Sequence, residues 1–285
     1  MRTDFAVFII THGRPDTQLT YATLKNYGYC GKLYFVLDDT DKTIQQYIDN
    51  FGVDKLFVFN KNHYINDTDF DNGTNTAIYA CALYARRAVE DIAKSIGLSY
   101  FCVLDDDVVE FALRQEIDGK LKRMAPTNFN AILDGYIELL SCNNISCLGF
   151  CNQMFYFGGL KNFLAENRTL PYQGFIRKVS EPVKWACWYG EDAVAGYDSN
   201  IRGKIWMGVP FIMIRCAPEK TGAMSKTYQQ TSTLLRAFAE YRYHPSELKI
   251  AMCTRGLLKG DYRVYIKNKE WYPKLVSSRY KKTPR

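Results

Sequence analysis

The chain has 285 residues, 47% of them hydrophobic and 24% charged, with a formal net charge of +7. This is a globular balance with ample apolar material for a core, and it excludes a disordered or low-complexity chain. Nine cysteines without a Cys-x-x-Cys pair argue against a disulfide framework or a zinc ribbon and for a reduced, cytoplasmic setting. In chain order, Phe5–Ile10 is a continuous apolar run, the mark of a strand buried on both faces rather than of a signal peptide. Thr11-His12-Gly13-Arg14 ends it, and Pro15-Asp16 opens a helix that stops at Gly28. Lys32–Leu37 is a second strand closing on Asp38-Asp39-Thr40-Asp41. A short helix then runs to Gly52, and Lys55–Phe59 is a third strand. After a polar loop over 60–74, residues Ile78, Cys81, Ala85, Ala88, Val89, Ile92 and Ile96 recur at helical spacing. Tyr100–Leu104 is a fourth strand that runs directly into Asp105-Asp106-Asp107.

Strand–helix alternation predicts an α/β protein with a mostly parallel, doubly wound central sheet flanked by helices. Ligands bind such sheets at the carboxyl ends of the strands. The turns at 11–14, 38–39 and 105–107 all fall at that edge. The second half is less regular. A helix is expected near Asn128–Leu140, a strand near Ile145–Phe150, a helix from Glu191 to Arg202, a strand over Ile205–Ile214 and a helix over Thr227–Tyr241. One domain over 1–285 is expected, with 1–110 as the nucleotide-binding half and 111–285 as the acceptor half. Apolar runs are too short to span a membrane.

The chemistry concentrates at the strand ends. Three consecutive aspartates cannot all ionise cheaply without a cation or strong donors. Asp105 and Asp107 have the Asp-x-Asp spacing through which a hard divalent ion takes carboxylate and diphosphate oxygens together, and Asp106 lies between them. The alternative is an acidic loop capping a following helix. Thr11, His12 and Arg14 form a turn able to wrap a nucleotide, with Arg14 on phosphate. Asp38 and Asp39 suit ribose hydroxyls or a base edge, or else the N-terminus of the helix at Thr43. Of Arg86 and Arg87 on the long helix, one could reach a diphosphate, with Arg86 as the candidate, and an exposed helix arginine is the alternative for at least one of them. Glu191-Asp192 is a second carboxylate pair that could act as general base or simply complement a helix N-terminus. Trp185, Trp188 and Tyr189 before it could stack on a sugar or a base. His244 is a possible further metal ligand. Basic residues gather in Arg114, Lys120, Lys122 and Arg123, and again with aromatics over Tyr262–Arg285, a composition suited to nucleic acid.

Ile10-Thr11-His12-Gly13-Arg14-Pro15, Tyr34–Asp41 and Tyr100–Asp107, followed by Gly190-Glu191-Asp192, resemble GT-A glycosyltransferases over most of the chain. More narrowly they are similar to the bacteriophage TET/JBP-associated glycosyltransferases, which modify hydroxymethylpyrimidines in DNA. The resemblance implies a UDP-sugar donor, Mn²⁺ or Mg²⁺ held with the donor by Asp105 and Asp107, and the host cytoplasm as the place of action. It implies contacts of Asp38 or Asp39 with the nucleoside and of Thr11 and Arg14 with the nucleotide. Asp192 would be the base that deprotonates a 5-hydroxymethylcytosine hydroxyl in an inverting enzyme. A glycosyltransferase for a glycan, lipid or protein is the alternative. A nucleotidyltransferase lacks its Gly-rich basic loop here, and a non-catalytic nucleic-acid-binding protein would not need the aspartates.

Overall fold

The computed structural model describes residues 2–65, 82–142, 144–156, 159–160, 170–218, 231–254 and 258–267. Most of the polar loop, the start of the helix expected from Ile78, the start of the helix expected from Thr227 and the basic tail after 267 lie outside the described residues. Strands β1 (Phe5–Ile10), β2 (Lys32–Asp38), β3 (Leu56–Phe59) and β4 (Tyr100–Asp105) form a parallel block in the order β3-β2-β1-β4. Ile10 pairs with Val36 on one side and with Asp105 on the other, so the strands end together at one edge.

The apolar run of β1 is covered on both faces. Phe5, Val7 and Ile9 belong to one core layer, with Leu24 of α1 (Leu19–Asn26), Tyr47 of α2 (Ile44–Phe51) and Leu133 of α5 (Phe129–Cys142). Ala6, Phe8 and Ile10 belong to the other, with Leu83, Ala88 and Val89 of α4 (Ala82–Ser95). The short helix α3 (Asn62–Ile65) precedes the undescribed loop. Helix α1 begins at Leu19 rather than at Pro15, because Pro15–Gln18 form a turn in which Thr17 N–H donates to Arg14 C=O. It ends as expected at Gly28, in the left-handed region at φ 71°.

The second half departs from a parallel plan. Two residues after β4 the chain enters β5 (Val108–Ile117), which pairs antiparallel with β6 (Lys120–Met124) and with β9 (Ile205–Cys216). A two-residue link leaves no room for a helix, so the strand–helix alternation ends here, and in the sheet β5 lies beside β9 and β6 rather than beside β4. No helix follows the acidic turn, which removes helix capping as its explanation. Strand β8 (Gly174–Lys178) inserts antiparallel between β4 and β7 (Ile145–Asn152), and β7 runs parallel to β9. Among the described residues the result is one mixed nine-stranded sheet, β3-β2-β1-β4-β8-β7-β9-β5-β6. Helix α6 (Glu191–Ile201) leads into β9 and sets its N-terminus at the strand-end edge. Helix α7 (Thr233–Tyr241) packs on α6 and on a two-stranded ribbon of β10 (Leu248–Met252) and β11 (Tyr262–Ile266). No described helix is long and apolar enough to cross a membrane.

Candidate functional site

The three turns named from the sequence meet at the strand-end edge, but they do different work. The Asp106 carboxylate accepts from Thr11 Oγ1 at 2.6 Å and from Arg14 Nη1 at 2.8 Å. With the Thr11 hydrogen committed there, the Tyr47 hydroxyl donates to Thr11 Oγ1 at 2.8 Å. Tyr47 in turn accepts from Arg14 N–H at 3.1 Å and from Gln18 Nε2 at 3.0 Å. Gly13 N–H donates to Asp41 at 2.7 Å, and the His12 ring donates from Nδ1 to Asp38 at 2.9 Å. That bond raises the pKa of the His12 ring, with burial opposing. Burial would raise the Asp38 carboxyl, but His12 and Thr40 outweigh it and hold Asp38 below the usual carboxylate range. Asp39 is exposed and accepts from Lys61 N–H at 3.0 Å. The helix start at Thr43 is served by Asp41, which accepts from Thr43 N–H at 2.8 Å. Gln18 and Tyr47 carried no sequence signal, because each matters only once the turns are adjacent, and Asp41 was visible only as the last residue of the acidic stretch 38–41.

A cleft of about 540 Å³ opens beside this clamp, with Asp105 and Asp107 among its lining residues. Within the turn between β4 and β5, Asp105 and Asp107 line the cleft while the Asp106 carboxylate is taken up by Thr11 and Arg14 of the β1 turn. Burial pushes the Asp105 carboxyl well above the usual range, with Arg86 opposing and Asp107 and Asp192 adding to the rise. Asp107 Oδ1 is buried without a hydrogen-bond partner. A hard cation that shares oxygens with a diphosphate fits such a pair, since it would satisfy the orphaned oxygen and favour ionised Asp105. Among the described residues no group of three His, Cys, Asp or Glu side chains is placed to hold a metal by itself, so ligand oxygens would have to complete the shell.

Arg86 is the hub of the cleft. Its side chain is 3% exposed, with Nη1 at 3.0 Å from Glu191 and 3.1 Å from Asp192, and Nη2 at 3.6 Å from Asp105. Nη2 also donates to Tyr172 C=O at 3.1 Å, and the guanidinium lies 5.2 Å from the centre of the Phe175 ring and 5.7 Å from that of Trp185. Glu191 and Asp192 sit in the first turn of α6 after Gly190, which is left-handed at φ 67°. Burial raises both carboxyls against the pull of Arg86.

The aromatic segment divides. Trp185 and Trp188 are core residues at 1% and 3% exposure. Trp185 Nε1 donates to Glu90 at 2.8 Å, and its ring packs between Phe175 and Trp206. Tyr189 alone of the three lines the cleft. Arg87 stacks over Tyr64, and His63 is exposed. His244 packs its ring on Tyr197, 6.3 Å between centroids, and burial lowers its pKa. In the basic hairpin of β5 and β6, Arg123 is paired with Glu110, while Lys120 and Lys122 are exposed. The far wall of the cleft includes Glu240 of α7 and Arg263 of β11. Arg263 belongs to the basic segment seen in the sequence. Nothing in the sequence marked Glu240.

A family model described as TET-Associated Glycosyltransferase matches residues 5–204. No curated protein matches. Among solved structures, the chain is similar to a protein described as a nucleotide-diphospho-sugar transferase from Desulfovibrio desulfuricans G20. The identity is 6%, over 73% of this chain and 80% of that one, with a TM-score of 0.42. It is also similar to a mycobacterial protein, at 10% identity over 92% and 83% of the two chains, with a TM-score of 0.47.

Proposed function

The chain belongs to the TET-associated glycosyltransferase family, and from that premise we propose that it transfers a sugar from a UDP-sugar to the hydroxyl of 5-hydroxymethylcytosine, or a related hydroxymethylpyrimidine, in DNA. The observation that carries this reading is the division of the acidic turn. Asp106 is spent on the β1 turn, while Asp105 and Asp107 both line a cleft at the strand-end edge.

Asp105 and Asp107 would hold Mn²⁺ or Mg²⁺ together with the donor, and the bound ion would neutralise the leaving diphosphate. Thr11, His12 and Arg14, kept rigid by Asp106, Tyr47 and Asp38, form the floor for the nucleotide, and exposed Asp39 is open to the nucleoside. Arg86 already shares its charge with Asp105, Glu191 and Asp192, so its work is to hold these acids in place. Asp192 takes the proton of the attacking hydroxyl, and Glu191 beside it shares the Arg86 cation. Tyr189 is the aromatic surface left for the acceptor.

The test is incubation with a panel of UDP-sugars, Mn²⁺ and DNA containing 5-hydroxymethylcytosine, followed by mass analysis of the nucleosides. A gain of one sugar mass is expected, falling by roughly a hundredfold or more in Asp105→Ala combined with Asp107→Ala. No mass shift with any donor overturns the reading. Transfer to a glycan, lipid or protein but not to DNA replaces the acceptor.

A further inference from the structure

Residues 231–254 and 258–267 lie beyond the stretch that the family model matches, yet they close the cleft. From α7 they contribute Glu240, and from β11 Arg263 and Val264. Glu240 forms no side-chain hydrogen bond or ion pair with another described residue, although it sits against the start of α6. A Cβ placed on Gly190 would lie 2.7 Å from the Glu240 carboxyl carbon and 2.8 Å from Oε1. The glycine therefore provides the space that this acid occupies. The charged groups acting on Glu240 are Asp192 and Glu191 on α6 and Arg263 on β11. Arg263 is itself underused, with Nε buried and unpartnered and its nearest ion pair, to Asp261, at 3.6 Å. The Tyr189 ring lines the same wall and carries Arg236 at 5.5 Å.

A ring for stacking, a carboxyl and a guanidinium, gathered beside the Glu191–Asp192 pair, make up the equipment that reads the edge of an unstacked nucleobase. A carboxyl with no internal partner in a polar cleft is available to a ligand, whereas a structural carboxyl is normally satisfied by its own fold. We propose that Glu240 is an acceptor-recognition residue, which with Arg263 and the ring of Tyr189 holds the acceptor base against the Glu191–Asp192 side of the cleft. This rests on the proposed function and deepens it, assigning acceptor choice to the segment outside the family match. Burial pushes the Glu240 carboxyl up to about 8, with Asp192 adding to the rise and Arg263 opposing. That rise favours the protonated form, and in that form the carboxyl donates to the base.

The experiment compares wild type, Glu240→Ala and Glu240→Gln, reading UDP affinity by calorimetry and acceptor KM with DNA containing 5-hydroxymethylcytosine. Glu240→Ala should raise acceptor KM about tenfold, the equivalent of one lost hydrogen bond, with UDP affinity kept. Glu240→Gln, which still donates and fills the same space, should keep a KM near that of wild type. It should also abolish the rise in KM that wild type shows as pH passes through about 8. That pH comparison decides the matter if the alanine variant fails to fold. An unchanged KM in Glu240→Ala, a matching loss of UDP affinity, or the same pH profile in Glu240→Gln and wild type overturns the assignment alone. A wild-type protein that transfers nothing to DNA removes the acceptor reading and this assignment together.

Discussion

Arg86 carries its charge where water does not reach it, and that is tolerable only because three carboxylates converge on it. In sequence Arg86 and Arg87 look alike. The phase of α4 separates them, turning Arg86 inward to Asp105 and to Glu191 and Asp192, the last two more than a hundred residues away, and Arg87 onto Tyr64. Removing the cation would leave Glu191 and Asp192 buried without it, with half-buried Asp105 beside them. Arg86→Met should therefore destabilise the protein by about 3–5 kcal/mol, measured by urea denaturation. A loss below about 1 kcal/mol would show that the acids relax into water and that Arg86 is no hub. The same scale explains the acidic triplet. Its spacing was legible from the sequence. The assignment of Asp106 to the β1 turn was not, because it depends on Thr11 and Arg14 reaching it from a neighbouring strand.

At the scale of elements, a run that is apolar throughout can only be a strand with both faces covered. That property made β1 and β4 readable, and with them the edge where their polar turns meet. The turn before α6 shows what such patterns miss. Trp185-Ala186-Cys187-Trp188-Tyr189 has the composition of a binding platform and equally that of a core, and burial assigns both tryptophans to the core. Gly190 after it has two reasons to be glycine, a left-handed φ and the close approach of Glu240. Gly190→Ala should cost about 1–2 kcal/mol from backbone strain alone. Because the added methyl also displaces Glu240, acceptor KM should rise with it. A variant with wild-type stability and KM would mean that the turn relaxes freely.

The whole molecule is needed to make the cleft. Ala82 and Arg86 come from α4, Asp105 and Asp107 from the β4 turn, Glu191 and Asp192 from α6, and Glu240 and Arg263 from the C-terminal ribbon and helix. A ligand that binds only the assembled cleft must stabilise the fold by mass action. UDP with Mn²⁺ at about a hundred times its Kd should add roughly 2.7 kcal/mol to the unfolding free energy, seen as a rise in Tm. Chelation by EDTA, or Asp105→Ala with Asp107→Ala, should abolish that rise. A shift that persists in the double variant would place the nucleotide elsewhere.

The sequence by itself determined the α/β class, the parallel first block, the polar turns at its edge and the Asp-x-Asp spacing. These are local matters, carried by hydrophobic periodicity and by residues adjacent in the chain. Only the tertiary structure decided that β5 turns back on β9, that Asp106 clamps the β1 turn and that Arg86 gathers three acids. It alone brought Glu240 to the cleft. Each of these depends on groups far apart in sequence whose charges and shapes interact only after the sheet has closed, and no local pattern records them.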